Sequence, residues 1–429
     1  MKVDFRIPLR SNLGTEHPPQ WQDPLRSQFP SMNVVVNENR IEKRPGYATD
    51  RTITPTPQWV VRFNKSDGSN YTLFLNDYDL MKRETATGGT YSYITETGDY
   101  NASVASIVTT VVTFKAGTTI DTDGVAAGDY FILDEDQDSD SEPDSNWAEV
   151  ASVDSETQLT LTSAYTGTTG TWTGSEKNCI IRKVYSVPTN ERWSWAIVDD
   201  TFCFTNGNVD VQSWSGTGYA SALDSTNAKK ARYCIEYANR LCLADLEISG
   251  NREPYTFQWS KEGDPTDWTD STAGSVDFLD TYGKIVGLGK VGNSIIIYKE
   301  DSIIIGGRTG NATSPFVFPK TIPGISISAP YSIVHFSGYN AFLAEDDFYI
   351  FDGTTPKKIG DRIRSAFFDV TDPASRKKTF GLNFPRMSTI VWFANTHLGQ
   401  LGFAYDYKNS EFNVFQFYDT ITGGGSGNA

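Results

Sequence analysis

Five times between residues 195 and 417 the chain repeats one plan: an apolar strand, a short polar turn, a second strand, another turn and a third strand. The units open at Trp195, Tyr233, Ile285, Ser332 and Gly381, at spacings of 38, 52, 47 and 49 residues. First turns fall at Asp199-Asp200, Ala238-Asn239, Gly292-Asn293, Gly338-Tyr339 and Pro385-Arg386. Second turns fall at Asn206-Gly207, Glu300-Asp301, Asp346-Asp347 and Lys408-Asn409. A period near 40–50 residues is that of a four-stranded propeller blade, here without a fixed signature such as Trp-Asp. Residues 59–63 (WVVRF) and 71–75 (YTLFL), joined by Ser66-Asp67-Gly68, form an earlier blade, with residues 180–185 (IIRKVY) as its expected remaining strand. The reading is an all-β chain with a β-propeller of about six blades, in which each sheet is covered by its neighbours. The competing reading is one large irregular β-sandwich plus a second β domain. Helix signals are confined to residues 361–368 (DRIRSAFF) and 226–231.

Such a ring needs bulky apolar material, and the 429 residues supply it with 25 Phe, 21 Tyr and 10 Trp. That excludes a disordered chain. No apolar run approaches the ~20 residues of a membrane-spanning helix, and the start, MKVDFRIPLRSN, lacks the apolar stretch of a secretory signal. The formal charge of −16 disfavours a protein that wraps nucleic-acid phosphate.

The charge is unevenly placed. Between Lys115 and Lys177 there is no basic residue, while 14 acids occur there, so the rest of the chain carries only −2. The stretch reads as an inserted β module, a small barrel or sandwich, with strands at 106–114 (SIVTTVVTF), 130–133 (YFIL), 148–153 (AEVASV) and 158–162 (QLTLT). The run 134–144 (DEDQDSDSEPD) invites a calcium loop. However, the position that needs Gly is Ser139 and the one that needs Glu is Ser145, which favours a solvated acidic tip. The division expected is a proline-rich arm and leading hairpin at 1–50, part of the first blade at 51–99, the acidic module at 100–177, the other blades at 178–420 and a Gly-rich tail at 421–429. The hairpin is expected at 32–41, turning at Asn37-Glu38-Asn39.

Chemistry-bearing patterns are sparse. Cys179, Cys203, Cys234 and Cys242 have no zinc-site spacing, and Cys203 and Cys242 lie among apolar strand residues, where a reduced thiol acts as a small hydrophobe. His17, His335 and His397 are far apart. No catalytic, cofactor-binding or metal-binding residue is assigned.

Several local motifs recur in order along the chain. They are residues 33–36 (NVVV) with 40–47 (RIEKRPGY), 238–244 (ANRLCLA), 257–260 (FQWS) with 263–268 (GDPTDW), 297–303 (IYKEDSI) and 349–353 (YIFDG). In this succession the chain resembles the propeller-containing tail nozzle or tail-hub proteins of short-tailed bacteriophages, over about 30–75 and 190–420. The acidic insert is similar to small β modules of virion structural proteins. The motifs also have structural readings of their own. Gly68 and Asp352-Gly353 suit tight turns, Trp259 and Trp268 are expected to pack the two ends of the Gly-Asp-Pro turn, and Lys299-Glu300-Asp301 is expected to be a polar tip.

The resemblance implies a structural virion protein without enzymatic activity. As a homo-hexameric ring below the portal and adaptor complex, it would form the nozzle of a short tail, conduct DNA during ejection without sequence-specific binding, and carry fibres or spikes. Assembly would occur in the host cytoplasm, with no membrane span and no cofactor. The alternative is a propeller glycosidase or lyase acting on cell-surface polysaccharide, which needs paired carboxylates about 5–9.5 Å apart; Asp199, Asp280 and Asp346 fall at dissimilar places in their units. A third reading is an adhesive propeller with a calcium-dependent tip.

Overall fold

Strand Ser294–Lys299 buries every residue after the first, so it needs apolar cover on both faces. The fold supplies that cover by setting six four-stranded antiparallel sheets face to face around an axis, as a six-bladed β-propeller. The computed structural model describes residues 34–37, 40–43, 57–76, 80–84, 91–95, 99–137, 147–185, 187, 191–223 and 230–416. The arm at 1–30, the motif at 44–47, most of the 134–144 run, the helix expected from residue 226 and the tail at 421–429 lie wholly or largely outside them.

Blade 1 consists of Trp59–Asn64, Asn70–Leu75, Leu80–Glu84 and Tyr91–Tyr93. Blade 2 consists of Ser194–Val198, Thr201–Thr205, Gln212–Trp214 and Ser221–Ala222. Blade 3 is Lys230–Glu236, Leu241–Ile248, Asn251–Trp259 and Gly274–Asp277. Blade 4 is Ile285–Val291, Ser294–Lys299, Ser302–Arg308 and Phe316–Pro323. Blade 5 is Val334–Phe336, Tyr339–Leu343, Phe348–Phe351 and Pro356–Lys358. Blade 6 is Phe380–Phe384, Thr389–Thr396, Gly399–Asp406 and Glu411–Gln416. First strands of successive blades from 2 to 6 touch one another, so the first strand of each blade lies nearest the axis and the fourth at the rim. Each blade is one contiguous stretch of chain.

Two-residue turns with φ > 0 at both positions, Asp199-Asp200 (43° and 60°) and Ala238-Asn239 (59° and 57°), match the right-handed twist of the strands they join. Between blades 5 and 6 the chain forms two short helices, α1 (Arg364–Val370) and α2 (Pro373–Lys377). The first buries Phe367 between those blades, and the second starts on Asp372, whose carboxylate accepts the Ala374 and Ser375 amides at 2.9 Å.

Each cleft between blades has its own apolar cluster. The 1/2 cleft is built on Phe63, Trp193 and Trp214, and the 5/6 cleft on Phe348, Phe367 and Trp392. The cleft between blades 6 and 1 differs, because its cluster comes almost wholly from blade 6, with Trp59 packed against it from blade 1. The hairpin Val34–Asn37/Arg40–Lys43 lies beside the last strand of blade 6, two residues further along the chain than the expected 32–41, with Asn37 paired to Arg40 and not in the turn.

Three expectations are corrected. The segment 180–185 does not complete blade 1, whose third and fourth strands are Leu80–Glu84 and Tyr91–Tyr93; Lys177–Arg182 instead pairs with Asp99–Val104 and with Tyr130–Leu133. The module is therefore inserted between blades 1 and 2 and not within a blade. Residues 106–114 are not one strand, since the chain reverses at Thr109 (φ 55°) and Val108 pairs with Val111. Trp259 and Trp268 do not pack together: Trp259 fills the 3/4 cleft and Trp268 the 2/3 cleft.

The module itself is a closed barrel. Strands Asp99–Val108, Lys177–Arg182, Tyr130–Leu133, Ala148–Ser155, Gln158–Leu161 and Val111–Phe114 follow in pairing order, and the last pairs back to the first. Closure leaves no open edge among these six strands. Val104, Phe114, Phe131, Leu159 and Ile181 fill its interior.

Candidate functional site

Polar side chains converge where the innermost strands begin. Glu191 and Arg192 immediately precede blade 2, Arg232 lies on the first strand of blade 3, and Tyr331 precedes blade 5. The Tyr331 hydroxyl donates to Glu191 Oε2 at 2.7 Å and accepts the Arg192 backbone N–H at 2.9 Å. Glu191 Oε1 lies 3.2 Å from Arg232 Nη1, and Arg232 Nε lies 3.5 Å from Asp245 Oδ2. Asp245, only 1% exposed and sitting on a bulge of blade 3 with φ 55°, also pairs with Arg252 at 2.8 Å. The Tyr331 ring packs against the 3/4 cluster and against the blade 6 cluster. One side chain thus touches both sides of the ring.

The same cluster closes the ring. The Arg192 guanidinium lies 4.1 Å from the centre of the Phe380 ring in blade 6 and 5.5 Å from that of Trp59 in blade 1, and it donates to the Gln58 carbonyl at 3.0 Å. Trp59 Nε1 donates to the Trp193 carbonyl at 2.8 Å.

Burial pushes the Tyr331 hydroxyl well above its ordinary range, with Tyr233 and Glu191 adding to the shift. A phenolate nucleophile is disfavoured there. Burial works against the Arg232 charge, but Glu191 and Asp245 outweigh it and raise its pKa. These groups are turned on one another, which suits a fixed electrostatic junction better than acid–base chemistry.

The acids weighed for a hydrolase lie apart. Asp199 is in the first turn of blade 2, Asp280 in the connection from blade 3 to blade 4, and Asp346 in the second turn of blade 5, paired with Lys358 at 2.7 Å. First and second turns lie at opposite ends of an antiparallel blade. All four cysteines are buried and free; burial pushes the Cys179 and Cys234 thiols up to about 12. In the acidic barrel, Asp136 accepts from the Tyr165 hydroxyl and the Thr168 amide and hydroxyl, while Glu156 accepts from the Asp121 and Thr122 amides. Among the described residues no three His, Cys, Asp or Glu side chains are grouped to hold a metal ion.

Two polar residues of the motifs behind the resemblance, Arg240 and Lys299, are buried. Arg240, 2% exposed, donates to the carbonyls of Ser260 (2.8 Å) and Thr272 (3.0 Å), tying the strand end to the 260–273 loop. The expected polar tip stands at Glu300-Asp301, between strands Ser294–Lys299 and Ser302–Arg308, but Lys299 itself is fully buried and donates to the carbonyls of Phe278 (2.6 Å) and Thr281 (2.7 Å). The axial cluster left no signal in the sequence, because its members come from residues 191–192, 232, 245, 252 and 331.

No protein-family model and no curated protein matches the chain. Among solved structures it is similar to apo AztD from Citrobacter koseri (11% identity, 80% of this chain and 82% of that one, TM-score 0.34). It is also similar to Sqt1 of Saccharomyces cerevisiae (9% identity, 53% and 62%, TM-score 0.37) and to the phage phi92 endosialidase (12% identity, 87% and 61%, TM-score 0.25). The chain thus spans less than two thirds of the length of the latter two.

Proposed function

We propose that this chain is a structural subunit of a short phage tail: a nozzle or hub protein whose copies, six by resemblance, form a ring below the portal and adaptor. DNA passes through that ring without sequence-specific contact, and fibres or spikes attach to it. The observation that carries this reading is the axial junction of Glu191, Tyr331, Arg192 and Arg232, in which the polar groups are engaged with one another and bridge the blades. A propeller with such an axis is a rigid building block, and a conduit made from it runs between copies. The formal charge of −16, all but −2 of it in the acidic module, leaves the propeller with no excess of cations to hold a polyanion. The motifs that carry the resemblance serve the fold through Arg240 and Lys299, as expected of a protein whose product is an assembly.

The test is negative-stain microscopy of the purified chain alone and with tail components, beside an assay for polysaccharide cleavage. Rings or tail-like particles without cleavage support the proposal. A chain that cleaves polysaccharide and builds no assembly overturns it in favour of the hydrolase.

A further inference from the structure

Where blades 3 and 4 meet, the connection between them holds two large apolar side chains in solvent. Leu279 is 70% exposed and Tyr282 83%, and Tyr255 beside them is 38% exposed. The loop is pinned. Lys299 donates to the carbonyls of Phe278 and Thr281 from beneath and lies 5.4 Å from the centre of the Tyr255 ring, and the Phe278 amide donates to the Tyr255 carbonyl at 3.0 Å. A buried ammonium thus stiffens an exposed apolar platform, which lowers the ordering cost of binding there. Acidic residues neighbour it in sequence, Glu253, Asp277 and Asp280, all exposed, while the two nearby bases are paired, Arg252 with Asp245 and Lys284 with Glu300.

We infer that this platform receives the N-terminal arm of a second copy of the chain, an inference that rests on the reading of the protein as a ring-forming subunit. Three observations select this occupant. Residues 1–30 carry four Lys or Arg against three acids, a positive balance in a chain of −16, and so complement an acidic rim. They also carry Trp21, Leu25 and Phe29, spaced four apart, and the alternating Val3, Phe5, Ile7 and Leu9. Finally, the arm leads into the hairpin beside the last strand of blade 6, three blades around the ring from the platform. Arm root and platform therefore lie on opposite sides of the propeller. Two different surfaces on opposite sides make a head-to-tail contact, and such contacts repeat into closed rings when the rotation closes. At ~3.3 Å per residue the arm can extend roughly 100 Å, ample to reach a neighbour.

The experiment uses the full chain in sedimentation velocity over a range of concentrations. Leu279→Asp with Tyr282→Asp defines a platform variant, and Trp21→Ala with Leu25→Ala and Phe29→Ala an arm variant, each checked for wild-type far-ultraviolet dichroism and melting. The expectation is that the wild-type chain associates and each variant sediments as a monomer. Mixed together, the two variants form a dimer and nothing larger, because the intact arm of one meets the intact platform of the other at one contact only. A wild-type chain that stays monomeric, a platform variant that assembles like wild type, or a mixture that forms no dimer overturns the proposal. None of these outcomes depends on a phage particle, so failure of the docking site is separable from failure of the tail reading, which polysaccharide cleavage or absence from tail particles would reveal.

Discussion

The guanidinium of Arg182 lies 3.9 Å from the centre of the Tyr93 ring. Arg182 closes the last strand of the acidic barrel, Tyr93 belongs to the rim strand of blade 1, and Trp147 of the barrel sits 5.0 Å from the same guanidinium. A cation 3% exposed between two aromatic rings joins the module to the propeller. In a module that otherwise carries unbalanced acids, this cation meets the propeller at the barrel's last strand.

Replacing Arg182 with Ala removes that link. A desolvated cation–π contact is worth about 2 kcal/mol or more, and stacked packing is lost with it. The expected result is a module that melts earlier than the propeller and is cut first by protease. Unchanged melting and protection would show that the barrel is held elsewhere.

Blade 1 is complete at Tyr93, and the segments leaving and re-entering the propeller meet in the same cluster through Ile94 and Tyr185. Replacing residues 99–182 with a short Gly/Ser linker should leave a propeller that folds and unfolds in one transition. Replacing only 100–176 should aggregate, because Lys177–Arg182 then presents Cys179 and Ile181 without a barrel to bury them. Equal solubility of the two deletions would refute this assignment.

Tyr331→Phe tests the axial junction. It keeps the ring against both clusters but leaves Glu191 without its 2.7 Å donor and the Arg192 amide without an acceptor. The expected loss is about 1–3 kcal/mol in urea unfolding. A stability equal to wild type would mean water takes over both bonds.

Acid stability follows from carboxylates held below the ordinary value of 3.8. The Thr354 hydroxyl and the Thr355 amide do this to Asp352; the Ser375 amide does it to Asp372, and the Thr269 amide to Asp267. In each case the unfolded chain binds more protons than the folded one between the two pKa values. Their contribution is complete above the unfolded value and disappears as pH falls through the folded ones. Stability should therefore decline from about pH 4 downward, and Asp352→Asn should make the decline shallower. A steeper slope in the variant would reverse the assignment.

The recurrence of strand–turn–strand units pointed to about six blades from residues alone, because alternation and turn chemistry are local: the strands reverse at the polar turns Asp199-Asp200 and Ala238-Asn239, although the last strands of blade 1 were misplaced. The acidic module was legible for the same reason, as an abrupt change in charge. Three things were not local. The strand containing Ile180 and Ile181 reads equally well as blade or barrel, and only pairing with Tyr130–Leu133 and Asp99–Val104 decides between them. Lys299 reads as part of a polar tip, but the blade 3–4 connection covers it and supplies carbonyl acceptors. The axial junction exists only once the ring closes, because Glu191 and Tyr331 stand 140 residues apart and meet through no local signal. Backbone propensity and charge act over a few residues and are written in the chain, whereas burial and partner choice belong to the assembled ring.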